Sequence, residues 1–221
     1  MNLNYFAVIG DFIDSRKIEN RDLAQVKFQH ALEKINKDFS KTIASKFTIT
    51  LGDEFQGLLY PEAPIFKILD VIEMDLLAYP FRIGIGFGSV TQPVNPNISI
   101  GADGKAYWNA RSAIEFIHDK TDYGTSRTYF LGFDNTKNRL INDLLASTDL
   151  IKSKWSRIQR ETFSVLLDMG IYEEDFSQKT IAQFMRISEV ALYKRLKASN
   201  IKLYLRCRKN LEISMSEWAN D

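Results

Sequence analysis

Residues 81–90 read FRIGIGFGSV, and the glycines at 84, 86 and 88 constrain this chain more than any other feature. Successive side chains of a strand point to opposite faces, so these glycines strip one face while Ile83, Ile85 and Phe87 fill the other. A bare face admits either a helix backbone or a ligand at close range. The run is not a dinucleotide-binding fingerprint, because its glycines lie within a strand and not in a strand-to-helix turn.

The rest of the chain alternates two periods. Residues 4–10, NYFAVIG, form a β-prone run read as a strand buried on both faces. From about Asn20 to Ser40 the period lengthens, and Phe28, Leu32, Ile35 and Phe39 share one helical face. Phe47–Leu51 and Phe55–Tyr60 flank Gly52-Asp53-Glu54 as a β-hairpin. Pro61 and Pro64 open a second helix from within its first turn, its apolar face being Ile65, Ile68, Leu69, Ile72 and Leu76. A third helix is expected from about Asp103 to Asp119, a strand at 127–133 and a short helix at 134–146. The order β-α-β-β-α-β-α-β-α predicts an α+β fold, a mostly antiparallel sheet with helices packed on one side. Beyond about residue 150 only helical patterns follow, so the chain is read as two domains, 1–148 and 149–221.

Charge divides along the same line. Residues 1–150 carry 16 basic and 19 acidic residues; residues 151–221 carry 13 and 9. Basic charge concentrated at one end points to an anionic partner there. Cys207 is the lone cysteine, so no intrachain disulfide can form. The N-terminus lacks a basic leader, and Lys67, Asp70, Glu73 and Asp75 interrupt the longest apolar region, so a cytoplasmic protein without membrane spans is expected. His30 and His118 have no cysteine partners or zinc-ligand spacing and are read as surface residues.

The chemistry concentrates in two acidic stretches. Asp11 ends the first strand, Asp14 follows, and Asp53 sits at the hairpin tip. If the first strand pairs beside the hairpin, Asp11 and Asp53 converge at one end of the sheet. Two carboxylates brought together repel unless a cation or proton lies between them. Mg²⁺ takes one or two carboxylates and completes its shell with water and phosphate oxygens. Ordinary turn chemistry also accounts for Gly-Asp at a hairpin tip, and both readings stand. Ser15, Arg16 and Lys17 follow Asp11 closely and suit phosphate oxygens, Arg by two-pronged pairing and Lys as a point charge. Glu54 should face away from Asp53 and is a secondary candidate.

The blocks GDFIDSRK (10–17), ITLGDEFQGLL (49–59), RIGIGFGSV (82–90) and IGADGKAYWNAR (100–111) together resemble the SatD family, named for a bacterial operon linked to secretion and acid tolerance. More distantly, residues 1–135 are similar to the palm-type, ferredoxin-like catalytic domain of class III nucleotidyl cyclases and diguanylate cyclases. That resemblance implies a Mg²⁺ or Mn²⁺ site held by Asp11, Asp53 and the carbonyl of Phe12, a nucleotide or other phosphate ligand, and a homodimer. It also implies catalytic roles on the third helix, with Arg111 and Tyr107 at the positions that support the transition state and Asn109 displaced by two residues. Cyclases place a purine-selecting Lys where this chain has Ile49. Metal ligation is thus retained, purine selection lost and transition-state support partial, which suits a changed substrate or a binding role better than adenylyl cyclase activity. Two alternatives are an active metal-dependent nucleotidyl cyclase or nucleotidyltransferase, and a palm kept as a dimerisation scaffold.

Residues 177–201, SQKTIAQFMRISEVALYKRLKASNI, read as a helix, a tight break and a second helix, and resemble the helix-turn-helix of bacterial regulators. Ser188 is a good N-cap for the second helix. Arg186 stands where a turn Gly is usual. Between Arg186 and Lys209 there are eight basic residues and one acidic. Tyr193, Lys194, Arg195 and Lys197 are the candidates for DNA contact. A helical unit that merely packs on the palm or mediates dimerisation is the competing reading.

Overall fold

The computed structural model describes residues 3–50, 52–119 and 122–220; Leu51, expected to end the second strand, lies outside them. Among the described residues five strands form one mixed sheet: β1 (Asn4–Phe12), β2 (Ile43–Ile49), β3 (Glu54–Leu59), β4 (Phe81–Ser89) and β5 (Thr128–Leu131). Their order is β2-β3-β1-β4-β5. β1 is antiparallel to β3 and β4, β2 is antiparallel to β3, and β5 runs parallel to β4. The first strand does pair beside the hairpin.

Alternation along β1 feeds two separate cores. Phe6, Val8 and Phe12 join Phe55, Ile83 and Ile85 against α1 (Arg21–Asp38) and α2 (Ile65–Asp75). Tyr5, Ala7 and Ile9 join Leu58 against α3 (Lys105–Asp119). Helices therefore cover both faces of the sheet, which corrects the expectation of helices on one side. The glycine strand is the cause. A Cβ on Gly84 would collide with the carbonyl of Ala110, and one on Gly86 with that of Ala106. The bare face is occupied by a helix backbone, with Ala106, Ala110 and Ala113 as its small-residue counterparts.

Asparagines cover both sheet edges. Asn36 donates to the Phe47 carbonyl at 2.9 Å and accepts its N–H at 2.8 Å on β2. Asn142 does the same for Phe130 on β5, at 2.9 and 2.8 Å. One residue's backbone N–H and C=O on each edge strand is thereby satisfied.

Pro64 caps α2 from just outside it, so the prolines precede the first turn and do not stand in it. α4 (Asn135–Ser153) is capped by Asp134 and runs past residue 146, where a short helix was expected, crossing 148–149 without a break. α5 (Arg157–Asp168) opens with a Ser156–Gln159 capping box. Three more helices follow: α6 (Gln178–Phe184), α7 (Glu189–Ser199) and α8 (Ile201–Asn220). Phe66 and Leu69 of α2 share one apolar cluster with Phe163, Leu166, Tyr204 and Leu205.

A buried polar network crosses that seam. Asp70 of α2 accepts hydrogen bonds from Lys152 Nζ (2.8 Å), the Tyr172 hydroxyl (2.5 Å) and the Tyr204 hydroxyl (2.7 Å). Lys152 also pairs with Glu73. Arg208 of α8 donates to Asp149 at 2.6 Å, and the other Asp149 oxygen accepts the backbone N–H groups of Arg127 and Thr128. Burial by itself would raise the Asp70 carboxyl, but Lys152, Arg208 and the hydrogen bonds outweigh it and hold it below the usual carboxylate range. Buried charges of this kind persist only when paired and hydrogen-bonded.

Candidate functional site

β1 ends at the sheet margin in Asp11 and Phe12, and the register sets Asp11 opposite Glu54 on β3 and Arg82 on β4. Directly opposed residues share a face. Here it is the α3 face. Arg82 Nε lies 3.3 Å from Asp11 Oδ1, an ion pair without hydrogen-bond alignment. Both atoms are therefore buried with no hydrogen-bond partner among the described residues. Burial pushes the Asp11 carboxyl up; Arg82 pulls it down, while the charges of Glu54 and Asp53 add to the rise.

Glu54, expected to face away from Asp53, is the direct cross-strand neighbour of Asp11, while Asp53 lines a cleft that Glu54 does not. Arg111 of α3 grips both its oxygens, one bond being 2.9 Å, and Thr50 Oγ1 donates to it at 2.9 Å. Burial works against the Glu54 charge, yet the bonds from Arg111 and Thr50 hold its carboxyl below the usual range. The same hydrogen bond raises the Arg111 guanidinium further above its ordinary value.

Asp53 lies just beyond the paired register, beside Gly52 at φ +61°, and its carbonyl accepts the Phe12 N–H at 3.0 Å. It lines a cleft of about 340 Å³ with Phe12, Ser15, Arg21, Asp22 and Gln25. Asp11 does not line this cleft. The two aspartates thus flank the margin from different sides, close enough for the charge of one to raise the other. Of the expected phosphate-binding trio, Ser15 lines the cleft while Arg16 and Lys17 are exposed outside it, Lys17 bonded to Asp14 at 3.0 Å. Among the described residues no group of three His, Cys, Asp or Glu side chains is placed to hold a metal. A cation at this margin would rest on two carboxylates and a main-chain carbonyl.

The third-helix candidates separate. Arg111 alone reaches the acidic margin. Asn109 donates to the Phe87 carbonyl at 2.8 Å and ties α3 to β4. Tyr107 is buried beneath the loop after β4. Sequence reasoning passed over Arg82 and the cleft residues Arg21, Asp22 and Gln25, and held Glu54 only as a secondary candidate without its partner Arg111. Counting alternate positions across a known β1–β3 register would have found Glu54, but the register itself is not readable from either strand alone.

In the C-terminal helices, α6 and α7 are joined through Arg186 at φ +54°, so the Arg adopts the left-handed conformation that a Gly takes at no cost. The Ile187 N–H closes the turn onto the Ala182 carbonyl at 3.0 Å, and Ser188 caps α7 through the Ala191 N–H at 3.1 Å. Leu192 and Leu196 face the core. Tyr193, Lys194 and Lys197 are exposed and Arg195 half-buried, with Val190 and Phe184 also exposed nearby. His30 and His118 are both exposed. No helix among the described residues is long and apolar enough to cross a membrane.

A family model described as the SatD family matches residues 5–213. No curated protein matches the chain. Among solved structures, a bacterial light-regulated adenylyl cyclase is 14% identical with a TM-score of 0.42, covering 59% of this chain and 43% of its own. This chain therefore spans less than half the length of that cyclase. The catalytic core of a rhodopsin-guanylyl cyclase with converted specificity, in complex with ATPαS, is 16% identical with a TM-score of 0.35, covering 52% and 72%. A regulator of polyketide synthase expression from Bifidobacterium adolescentis is 13% identical with a TM-score of 0.27, covering 100% and 87%.

Proposed function

The chain belongs to the SatD family, and from that premise we propose that it is a regulatory protein that binds DNA through α7 and a metal-bound phosphate compound at the Asp11–Asp53 margin. One observation carries the DNA reading. The second helix of a tightly turned pair presents Tyr193, Lys194 and Lys197 to solvent, while Leu192 and Leu196 anchor it from behind. An exposed, basic, rigidly backed helix suits entry into a major groove.

The margin supports binding over turnover. Arg111, the side chain that would steady a triphosphate, is engaged by both oxygens of Glu54. Asp11 Oδ1 is buried and held by the Arg82 charge at 3.3 Å without a hydrogen bond, so a cation bound there would replace that ion pair. The palm-type reading of the sheet and its hairpin belongs to the same proposal.

The test is fluorescence anisotropy with labelled duplex DNA across a salt series. Binding should weaken steeply with salt, and replacing Lys194 and Lys197 with Ala should lower the slope of log K against log salt by about 2, roughly 0.9 for each lost phosphate contact. A slope unchanged by both substitutions would sink the groove assignment. For the margin, Mn²⁺ with a non-hydrolysable triphosphate should raise the melting temperature of the wild type but not of Asp53→Asn. An equal rise in both would remove Asp53 from the site.

A further inference from the structure

Glu189, Val190, Tyr193, Lys194 and Lys197 of α7 all face solvent. At about 100° per residue they span about 140° of the helix, with Leu192, Leu196 and Ser199 buried on the far side. Among the described residues none of the five side chains is engaged in a hydrogen bond, an ion pair or a ring contact. The whole stripe is free to meet a partner.

The stripe is not uniformly basic, as phosphate contact alone would favour. Val190 is 64% exposed and Tyr193 54%. Glu189 is the one acidic residue between Arg186 and Lys209. Ser188 already caps the helix, its hydroxyl accepting the Ala191 N–H at 3.1 Å. Glu189 is therefore not needed as a cap, and both its carboxylate oxygens are open acceptors.

A helix that enters a major groove brings its N-terminal residues to the base edges. That order sets Glu189 and Val190 over bases. Lys197 stands seven residues beyond Val190, about 10 Å along the axis, where a later turn reaches the backbone. Phosphate repels a carboxylate, so Glu189 has a place only over a base edge. The groove offers two donors, cytosine N4 and adenine N6. Adenine N6 stands beside the N7 acceptor, a pair that suits an amide and repels a carboxylate, which leaves cytosine N4. The Val190 side chain has no donor or acceptor, and the apolar group on a base edge in that groove is the thymine methyl.

We propose that α7 reads sequence through this pair, Glu189 accepting from a cytosine N4 amino group and Val190 packing on a thymine methyl. Consecutive residues are only ~3.8 Å apart, so the two bases lie within about three base pairs of each other. This rests on the DNA-binding reading above and adds the bases that the helix selects. Lys194 and Lys197 then supply affinity without sequence.

The test selects duplexes from a random-sequence DNA library with the full chain and measures their binding by fluorescence anisotropy. Exchanging one thymine at a time for uracil deletes a single methyl group. One such exchange should weaken wild-type binding about fourfold, the worth of one buried methyl-sized group. Val190→Ala should bind the thymine and uracil duplexes equally. Glu189→Ala, selected against the same library, should lose a cytosine preference close to that thymine and keep the thymine preference. The salt slope counts phosphate contacts, so it falls with Lys194→Ala and does not register a lost methyl.

Salt-dependent binding with no selected sequence overturns this inference and leaves the DNA reading standing. The lack of any uracil penalty, a penalty that persists in Val190→Ala, or a cytosine preference that survives Glu189→Ala overturns it as well. Absence of duplex binding by the wild type sinks the DNA reading itself, and the base assignment with it.

Discussion

Glu54 and Arg111 stand 57 residues apart in the sequence and meet in a two-armed ion pair that ties the start of β3 to the middle of α3. Only the Glu54 side chain is well buried, at 12% exposure against 43% for Arg111. The pair occupies the Arg111 guanidinium, and its carboxylate lies directly across from Asp11.

Arg111→Ala should therefore destabilise the protein by about 1–2 kcal/mol at pH 7, the cost of leaving a buried carboxylate without its partner, reduced by the exposure of the Arg. The sign with pH follows from the direction of the shift. The folded Glu54 carboxyl lies below its unfolded value of about 4.3, so the contribution is full above that pH and lost as pH falls through the folded value. Urea midpoints of wild type and variant should differ by a constant amount from pH 8 to about pH 5 and converge in acid. A gap that did not narrow at all as the pH fell below the unfolded value of about 4.3 would contradict the pairing.

Gly86→Ala tests the glycine strand. Its new methyl would meet the backbone of Ala106 and Ala110, which no rotamer change can relieve. The expected loss is about 3 kcal/mol or more, since α3 must lift from the sheet. Calorimetric melting gives the answer. A loss under 1 kcal/mol would mean that α3 does not pack there.

Lys152→Met addresses the seam between α2 and the C-terminal helices. The substitution leaves Asp70 and Glu73 facing each other in a buried site, at a cost of about 3–5 kcal/mol. Adding Asp70→Asn should recover part of that loss. Hydrogen exchange should show α8 amides opening more readily in the single variant than in the double. Equal exchange in both would separate Asp70 from the stability of α8.

Arg186→Gly should stabilise the protein by about 0.5–1 kcal/mol. Arg holds a left-handed conformation at φ +54°, where a Cβ carries a steric penalty that Gly avoids. The gain is partly offset by the greater freedom of Gly in the unfolded chain. A higher urea midpoint at unchanged slope is the expected readout, and a lower midpoint would show that the Arg side chain makes a stabilising contact.

Much of the fold is legible residue by residue. The unbroken apolar run of β1 required burial on both faces, and the faces of α1 and α2 were read correctly through Phe28, Leu32, Ile35 and Ile65, Ile68, Leu69, Ile72. Ser188 capped the helix it was expected to cap. The limits of α4 were not legible, because the break near residue 150 is a change of pattern and not of backbone conformation.

Local periodicity and turn chemistry depend on a few neighbouring residues, and those features the sequence determined by itself: a bare strand face needing a close partner, two acidic stretches near strand ends, and a basic helix after a tight turn. Which partner each group meets depends on register and on which helix crosses which face. Only the tertiary structure decided that α3 fills the glycine face, that Glu54 and not Asp53 stands opposite Asp11, and that Arg111 is spent on Glu54. An ion pair over 57 residues is selected by the geometry of the whole sheet, and no local pattern encodes it.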